Sequence, residues 1–257
     1  MPVVQVGERT LTLSNPDKVL YPATGFTKAE IITYYMTVAP FILPHLAGRA
    51  LTFKRFPDGV DKPGFFEKRC PGHRPPWVPV AAGPGDRGGV IDYCVLDEPA
   101  ALVWSANLAA LDVAEVLAAA GLKGWCKTSG SKGIQLYVPV NGKCTHEQAA
   151  NVALAIGQVL ERRAPERYLT VMTKAVRPGK IFVDWSQNSR HKTTIAPYSL
   201  RARDRPTVST PVSWDEIEEA ARGANPLVFD AEDVMARVRE LGDLFAPVLS
   251  VKQTLPG

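Results

Sequence analysis

The stretch from Lys180 to Arg203, KIFVDWSQNSRHKTTIAPYSLRAR, constrains this chain more than any other. Ile181, Phe182 and Val183 are β-formers in a short apolar run, so Lys180–Trp185 is predicted as a strand. Asp184 falls near the end of that strand, with Trp185 beside it. A donor-rich run follows, from Ser186 and Gln187 through Arg190 and His191 to Lys192 and Thr193. Pro197 closes it, and Arg201 and Arg203 sit on a second short extended piece. An acid at a strand end facing a loop of cations and amides suits a metal-bound phosphate. A lone Asp more often ties down its own loop. The surrounding cations favour the phosphate reading here.

Length and charge bound the classes that remain. The 257 residues suffice for one large domain or two small ones, with ample apolar content for a core. A net charge of +4 is a mild basic excess that suits an anionic partner. Cys70, Cys94, Cys126 and Cys144 show no metal-ligand spacing and are expected as reduced, semi-buried thiols of a cytosolic protein. The beginning, MPVVQVGERTLTL, is strand-like and charged and is not read as a signal peptide. The apolar run Ala100–Leu122 contains Asn107, Asp112 and Glu115, so it is not read as a membrane span.

In chain order, Val3–Leu13 alternates as a first hairpin. Ser14, Asn15 and Pro16 make a turn, with Lys18 beyond it. Thr27 and Glu30 form a capping box for a helix to about Phe41, and Lys28 sits in its first turn. A lysine there opposes the helix dipole unless an anion binds at that end. Arg49–Gly59 is predicted as a strand whose faces are both mixed, with Lys54 and Arg55 on opposite sides. Phe65 and Phe66 then stand in a basic context with Lys68. Adjacent Phe residues on an extended chain point opposite ways, so a core member with an exposed neighbour fits, and an ordinary core pair is the leading reading of this stretch alone. An exposed Phe beside cations is how single-stranded bases are stacked.

His73–Gly89 reads as a Pro/Gly-rich loop before a strand at Val90–Leu96, and Asp97–Gly121 as a long helix. Next come a strand, a Gly/Ser loop at Ser129–Gly133 and a second strand at Ile134–Val138. Ser129, Ser131 and Lys132 offer donors to phosphate oxygens, and Gly130 and Gly133 permit close approach of backbone. The loop lacks P-loop spacing. Thr145 caps a helix from His146 to about Arg163. Leu169–Met172 is predicted as a strand, Lys174–Lys180 as a basic loop, Asp215–Ala221 and Ala231–Leu244 as helices, and the tail after Pro247 as loose.

The phrases SNPDKVLYPATGFTK, FKRFPDGVDKPGFFEK, KTSGSKG and KIFVDWSQNSRHKTTIAPYSLR resemble the polymerase domain of bacterial non-homologous end-joining DNA ligases and its stand-alone relatives, in the archaeo-eukaryotic primase superfamily. The resemblance covers about Leu11 to Pro211. It implies a single α+β, primase-like domain over residues 1–257, with central antiparallel and mixed sheets flanked by helices. A DNA-binding part would occupy about 1–100, a catalytic part about 101–210 and a helical extension about 211–257. It also implies a nucleotidyltransferase that fills short gaps or extends broken DNA ends in repair, favours ribonucleotides and uses Mn²⁺ or Mg²⁺ in two-metal fashion. The partners implied are DNA gaps or ends bearing a 5′-phosphate, an NTP or dNTP, and end-joining repair proteins. A cytoplasmic, nucleoid-associated monomer is expected, with no membrane partner.

By the same resemblance Lys18 and Lys28 grip the 5′-phosphate, Lys54, Arg55 and Lys68 follow the DNA backbone, and Phe65 or Phe66 stacks on template bases. Ser129, Ser131, Lys132 and Gln135 would lie at the incoming nucleotide, with Arg177, Gln187, Lys192 and Arg201 nearby. Asp184 matches a metal-binding carboxylate of the catalytic centre. Two departures stand out. The family's Asp-x-Asp pair on a strand before the Gly/Ser loop is missing, since Asn107 runs into Asp112–Gly121 without it. Gln135 stands where the family usually has His. A two-metal centre needs several carboxylates. The alternative expectation is therefore a catalytically inactive module that binds DNA gaps or ends.

Overall fold

The computed structural model describes residues 3–70, 74, 76–84, 90–94, 121–131, 134–163, 165, 168–173, 176, 181–189, 191–221 and 227–255. Strands β1 (Val3–Val6) and β2 (Arg9–Thr12) form the predicted hairpin, turned by Gly7 at φ 57°. β3 (Val19–Tyr21) pairs antiparallel with β4 (Phe26–Thr27). Helix α1 (Lys28–Leu46) begins in the predicted capping box. It passes Phe41 and continues through Pro40 and Pro44. Burial of Tyr34, Tyr35, Val38, Ala39, Ile42 and Leu46 on one face outweighs the backbone bonds those prolines remove.

β5 (Phe53–Arg55) and β6 (Phe65–Glu67) form a hairpin, so the strand predicted over Arg49–Gly59 shortens to its centre. β7 (Val80–Pro84) pairs with β8 (Val90–Cys94), which corrects the loop expected over His73–Gly89. Its Ala, Gly and Pro give little local strand preference; pairing across the hairpin supplies it. The helix expected over Asp97–Gly121 lies outside the described residues up to position 120.

β9 (Trp125–Thr128) and β10 (Ile134–Tyr137) flank the Gly/Ser turn. α2 (His146–Arg163) starts at Thr145, whose hydroxyl accepts from the Gln148 N–H while Gln148 Oε1 accepts from the Thr145 N–H. β11 (Tyr168–Leu169) runs parallel to β12 (Ile181–Phe182). Both are shorter than predicted: Val171 and Met172 are exposed, and the chain leaves β12 for a 3-10 turn at Trp185–Gln187. β13 (Pro211–Val212), α3 (Trp214–Ala221), α4 (Ala231–Leu241) and α5 (Pro247–Ser250) complete the elements. α4 stops short of the predicted Leu244 because Gly242, at φ 66°, turns the chain out of the helix. The tail expected to be loose is tied down: Asn141 Nδ2 donates to the carbonyls of Val248 and Val251, and Gln253 bonds both the N–H and the carbonyl of Lys123.

Two compact units emerge: Met1–Ala109 with Ile195–Thr210 and Val228–Asp243, and Ala110–Thr194 with Pro211–Leu227 and Leu244–Gly257. The first is built on a core in which α1 packs with α4 and with Tyr198, Leu200 and Val208. The second holds the antiparallel sheet β10-β9-β13, the parallel pair β11-β12, and α2 against β11 and the 3-10 turn. Helices with small, mostly antiparallel sheets make the expected α+β class. Cys70 is disulfide-bonded and Cys126 and Cys144 are free, which corrects the expectation that every cysteine is a thiol. Among the described residues no helix is long and apolar enough to cross a membrane.

Candidate functional site

In the second unit Asp184 stands at the start of the 3-10 turn instead of ending a strand. Ladder bonding stops just before it, where the Val183 N–H donates to the Leu169 carbonyl. Ser186 Oγ donates to Asp184 Oδ1, Lys192 Nζ donates to Ser186 Oγ, and the Lys192 ammonium lies 3.8 Å from the carboxylate. Both side chains are about one-third exposed, so this pair is weak and open to an incoming ligand. Gln187 is less available, because its amide donates to the Thr193 carbonyl (2.9 Å) and to Thr194 Oγ1 (3.1 Å).

Asp184 is held from behind by groups that the sequence did not single out. Trp185 Nε1 donates to the Thr170 carbonyl (3.1 Å), and the Thr170 hydroxyl donates to Glu161 of α2 (2.6 Å). Gly157 of α2 lies where a side chain would strike Thr170 and Val183. Glu161, four residues beyond Gly157, offered a helical spacing as its one sequence signal.

A cavity of about 270 Å³ opens in this unit, with Leu136, Val152, Ile156 and Val183 along its wall and Gln135 and Asp184 among its polar groups. Gln135 is buried and its Oε1 accepts from Lys127 Nζ. That bond orients the amide and leaves its N–H₂ as a donor. Beyond β9, Ser129 is fully buried; its Oγ accepts from the Ser131 N–H (2.8 Å) and Gly130 takes φ 58°. The turn is thus internally braced. Lys132 and Arg177 lie outside the described residues.

The first unit gathers the predicted DNA contacts. Lys28 Nζ donates to the carbonyl and hydroxyl of Ser14 (2.6 and 3.1 Å). Lys18 Nζ donates to the Pro57 carbonyl and pairs with Asp58 at 2.9 Å. Partial burial, then the nearby Lys18, holds the Lys28 amine below the usual lysine value. Two ammonium groups kept this close favour a shared anion.

On the β5–β6 hairpin Lys54 faces Phe66, and its ammonium stands 5.4 Å from that ring centre and 4.9 Å from that of Phe56. Phe65 and Phe66 are both exposed, at 51% and 64%. The reading of a core pair is therefore corrected: the core contact of this hairpin is made by Phe53 of β5, and both Phe65 and Phe66 of β6 face solvent. Arg55 pairs with Glu67, so its charge is already partly neutralised. Lys68 is half-buried just beyond β6.

Arg201 also belongs to the first unit. Burial, then the charge of Arg203, pushes its guanidinium down to about 10. Among the described residues no carboxylate pairs with it.

The described residues around Asp184 do not suit a pair of metal ions. Among the described residues no three His, Cys, Asp or Glu side chains come together, and Asp184 is answered by a hydroxyl and an ammonium instead of further acids. These residues do not make a two-metal centre.

A family model described as the LigD primase-polymerase domain matches residues 27–113 and 108–245. The multifunctional non-homologous end joining protein LigD of Mycobacterium bovis is 40% identical over 283 aligned residues, covering 92% of this chain and 37% of that protein. The corresponding protein of Mycolicibacterium smegmatis is 38% identical, covering 92% of this chain and 36% of that protein. This chain thus spans well under half the length of these relatives. A solved structure of the polymerase domain of Mycobacterium tuberculosis ligase D in complex with DNA is similar with a TM-score of 0.84, at 36% identity, over 95% of this chain and 99% of that one. The alignment of 283 residues exceeds the 257 available, so the Mycobacterium bovis protein carries internal residues that have no counterpart here.

Proposed function

Because this chain belongs to the LigD primase-polymerase domain family, we propose that it is a nucleotidyltransferase of the primase-polymerase type, acting at gaps and broken ends of DNA in repair. Ribonucleotides are its favoured substrates on this reading. The observation that carries it is the joint placement of Asp184 and Gln135 on one cavity, beside a strand that leads from the braced Ser129–Ser131 turn. The ammonium of Lys192 is suited to the oxygens of a triphosphate. Lys18 and Lys28 would hold the 5′-phosphate at the far side of a gap, and Phe66 with Lys54 would take an unpaired base. That the similar mycobacterial polymerase domain was solved in complex with DNA supports DNA as a partner of this chain.

A second reading rests on its own observation. The described residues give Asp184 no companion acids, and the relatives' extra internal residues have no equivalent in this chain. That favours a module which binds 5′-phosphorylated gaps and nucleotides without joining them. Primer extension on gapped DNA with Mn²⁺ separates the two. Incorporation that Asp184→Asn abolishes supports the polymerase. Tight binding that depends on the 5′-phosphate, with no incorporation, supports the module.

A further inference from the structure

Three tyrosine hydroxyls converge on the backbone of residues 198–201 within the first unit. Tyr34 OH donates to the Tyr198 carbonyl (2.6 Å), Tyr21 OH donates to the Arg201 carbonyl (2.8 Å), and Tyr35 OH accepts from the Leu200 N–H (3.2 Å). All three phenols are buried, with exposures of 0%, 0% and 1% for Tyr21, Tyr34 and Tyr35. Phenylalanine would fill the same space without a polar atom to desolvate, so the hydroxyls are there for their bonds. Burial raises the ionisation of each phenol well above the usual tyrosine value, which keeps all three protonated through the alkaline range.

The backbone they grip is itself held in an unusual shape. Tyr198 has φ 63°, a left-handed conformation unfavourable for an aromatic residue. Its N–H donates to the Ser209 carbonyl, and its hydroxyl donates to Asp243, whose second oxygen meets His45 Nε2 at 2.9 Å. Three residues beyond that kink stands Arg201, half-buried and with no carboxylate partner among the described residues. The Arg201 N–H is also engaged, donating to the Thr207 carbonyl at 2.7 Å. A guanidinium in that state is an anion ligand whose aim depends on its backbone.

We propose that Tyr21, Tyr34 and Tyr35 are positioning residues that preorganise Arg201 for a nucleotide phosphate by fixing the main chain beneath it. This rests on the expectation, from the family resemblance, that Arg201 is a nucleotide ligand. The gain is one of preorganisation: an arginine on a fixed backbone loses less freedom on meeting its phosphate than one on a mobile loop.

The test is a double-mutant cycle on the full chain, with UTP affinity read by calorimetry and thermal stability read in parallel. Arg201→Ala should weaken UTP by about tenfold or more, the loss of a charge-assisted contact. Tyr21→Phe should weaken it by about three- to tenfold in the native background, and by no measurable amount once Arg201 is already Ala. Tyr34→Phe gives an independent arm with the same expectation. Affinity for 5′-phosphorylated gapped DNA, assigned to Lys18 and Lys28, should stay unchanged in Tyr21→Phe. If the native chain does not bind UTP, or Arg201→Ala leaves its affinity intact, the underlying reading of Arg201 falls and the proposal with it. If Arg201→Ala weakens UTP while Tyr21→Phe and Tyr34→Phe do not, or do so equally in both backgrounds, the tyrosines are merely structural and the proposal alone is overturned.

Discussion

Gly157 of α2 stands against Val183 so closely that a Cβ placed on it would lie 3.0 Å from Val183 Cγ1, and 2.7 Å from the Thr170 methyl. Val183 immediately precedes Asp184, and Thr170 is the carbonyl partner of the Trp185 indole. The helix therefore sets the position of the candidate catalytic carboxylate through a missing side chain. Gly157→Ala is expected to destabilise the protein by about 1–3 kcal/mol through overpacking. It should weaken nucleotide binding beyond what Gly124→Ala does, although Gly124 is comparably crowded by Leu136. Denaturant unfolding and calorimetry on both variants check this.

The Lys18–Lys28 pair predicts a pH signature. The Lys28 amine is held below the usual lysine value, so its charged form is the one the fold penalises. As pH rises from neutral it gives up its proton before an exposed lysine would. Preference for 5′-phosphorylated over unphosphorylated gapped DNA should fade correspondingly early in the alkaline range. Lys28→Arg should retain that preference to higher pH, and Lys28→Ala should lose about tenfold of it at neutral pH. Binding titrations from about pH 7 to 10 measure it, the range running up to roughly the usual lysine value.

The exposed Phe pair predicts a template effect. Phe66→Ala removes the ring beneath Lys54 and should weaken single-stranded DNA by about 1–3 kcal/mol, as expected for one stacked base. Arg55→Ala should matter less, because Glu67 already answers that guanidinium. Equal losses in the two variants, measured by fluorescence anisotropy, would contradict the assignment.

Thiol labelling gives a check independent of function. Burial pushes the Cys126 thiol up to about 12, so it stays protonated and unreactive in the native protein. Cys70 is consumed in its disulfide. Of these two and the half-buried Cys144, only Cys144 should be alkylated before unfolding, as read by peptide mass spectrometry.

The features that sequence made legible rest on contacts short in the chain. The capping box at Thr27 and the N-cap at Thr145 each close over three residues. The Gly7 hairpin and the β9–β10 hairpin join neighbouring strands, and the motif phrases around Gln135 and Asp184 mark two residues that line one cavity. The features that sequence hid have distant partners. The β5–β6 pairing exposes both Phe65 and Phe66 and joins Arg55 to Glu67, and no pattern within either strand announces that. The strand expected through Trp185 breaks at Phe182 because its parallel partner β11 has only two residues.

Sequence alone thus determined the starts of α1 and α2, which follow from side-chain type and spacing along a local backbone, and through its family resemblance it implied the α+β class and the residues expected to meet phosphate. Only the tertiary structure decided which of those residues are free to act. Lys192 and Arg201 remain open to an anion, whereas Arg55 and Gln187 are engaged by neighbours. The tyrosine bonds to residues 198–201 span 164 to 180 positions, a separation over which composition and periodicity carry no information. Contacts of that kind exist only once the core of α1 has formed and brought the two ends of the unit together.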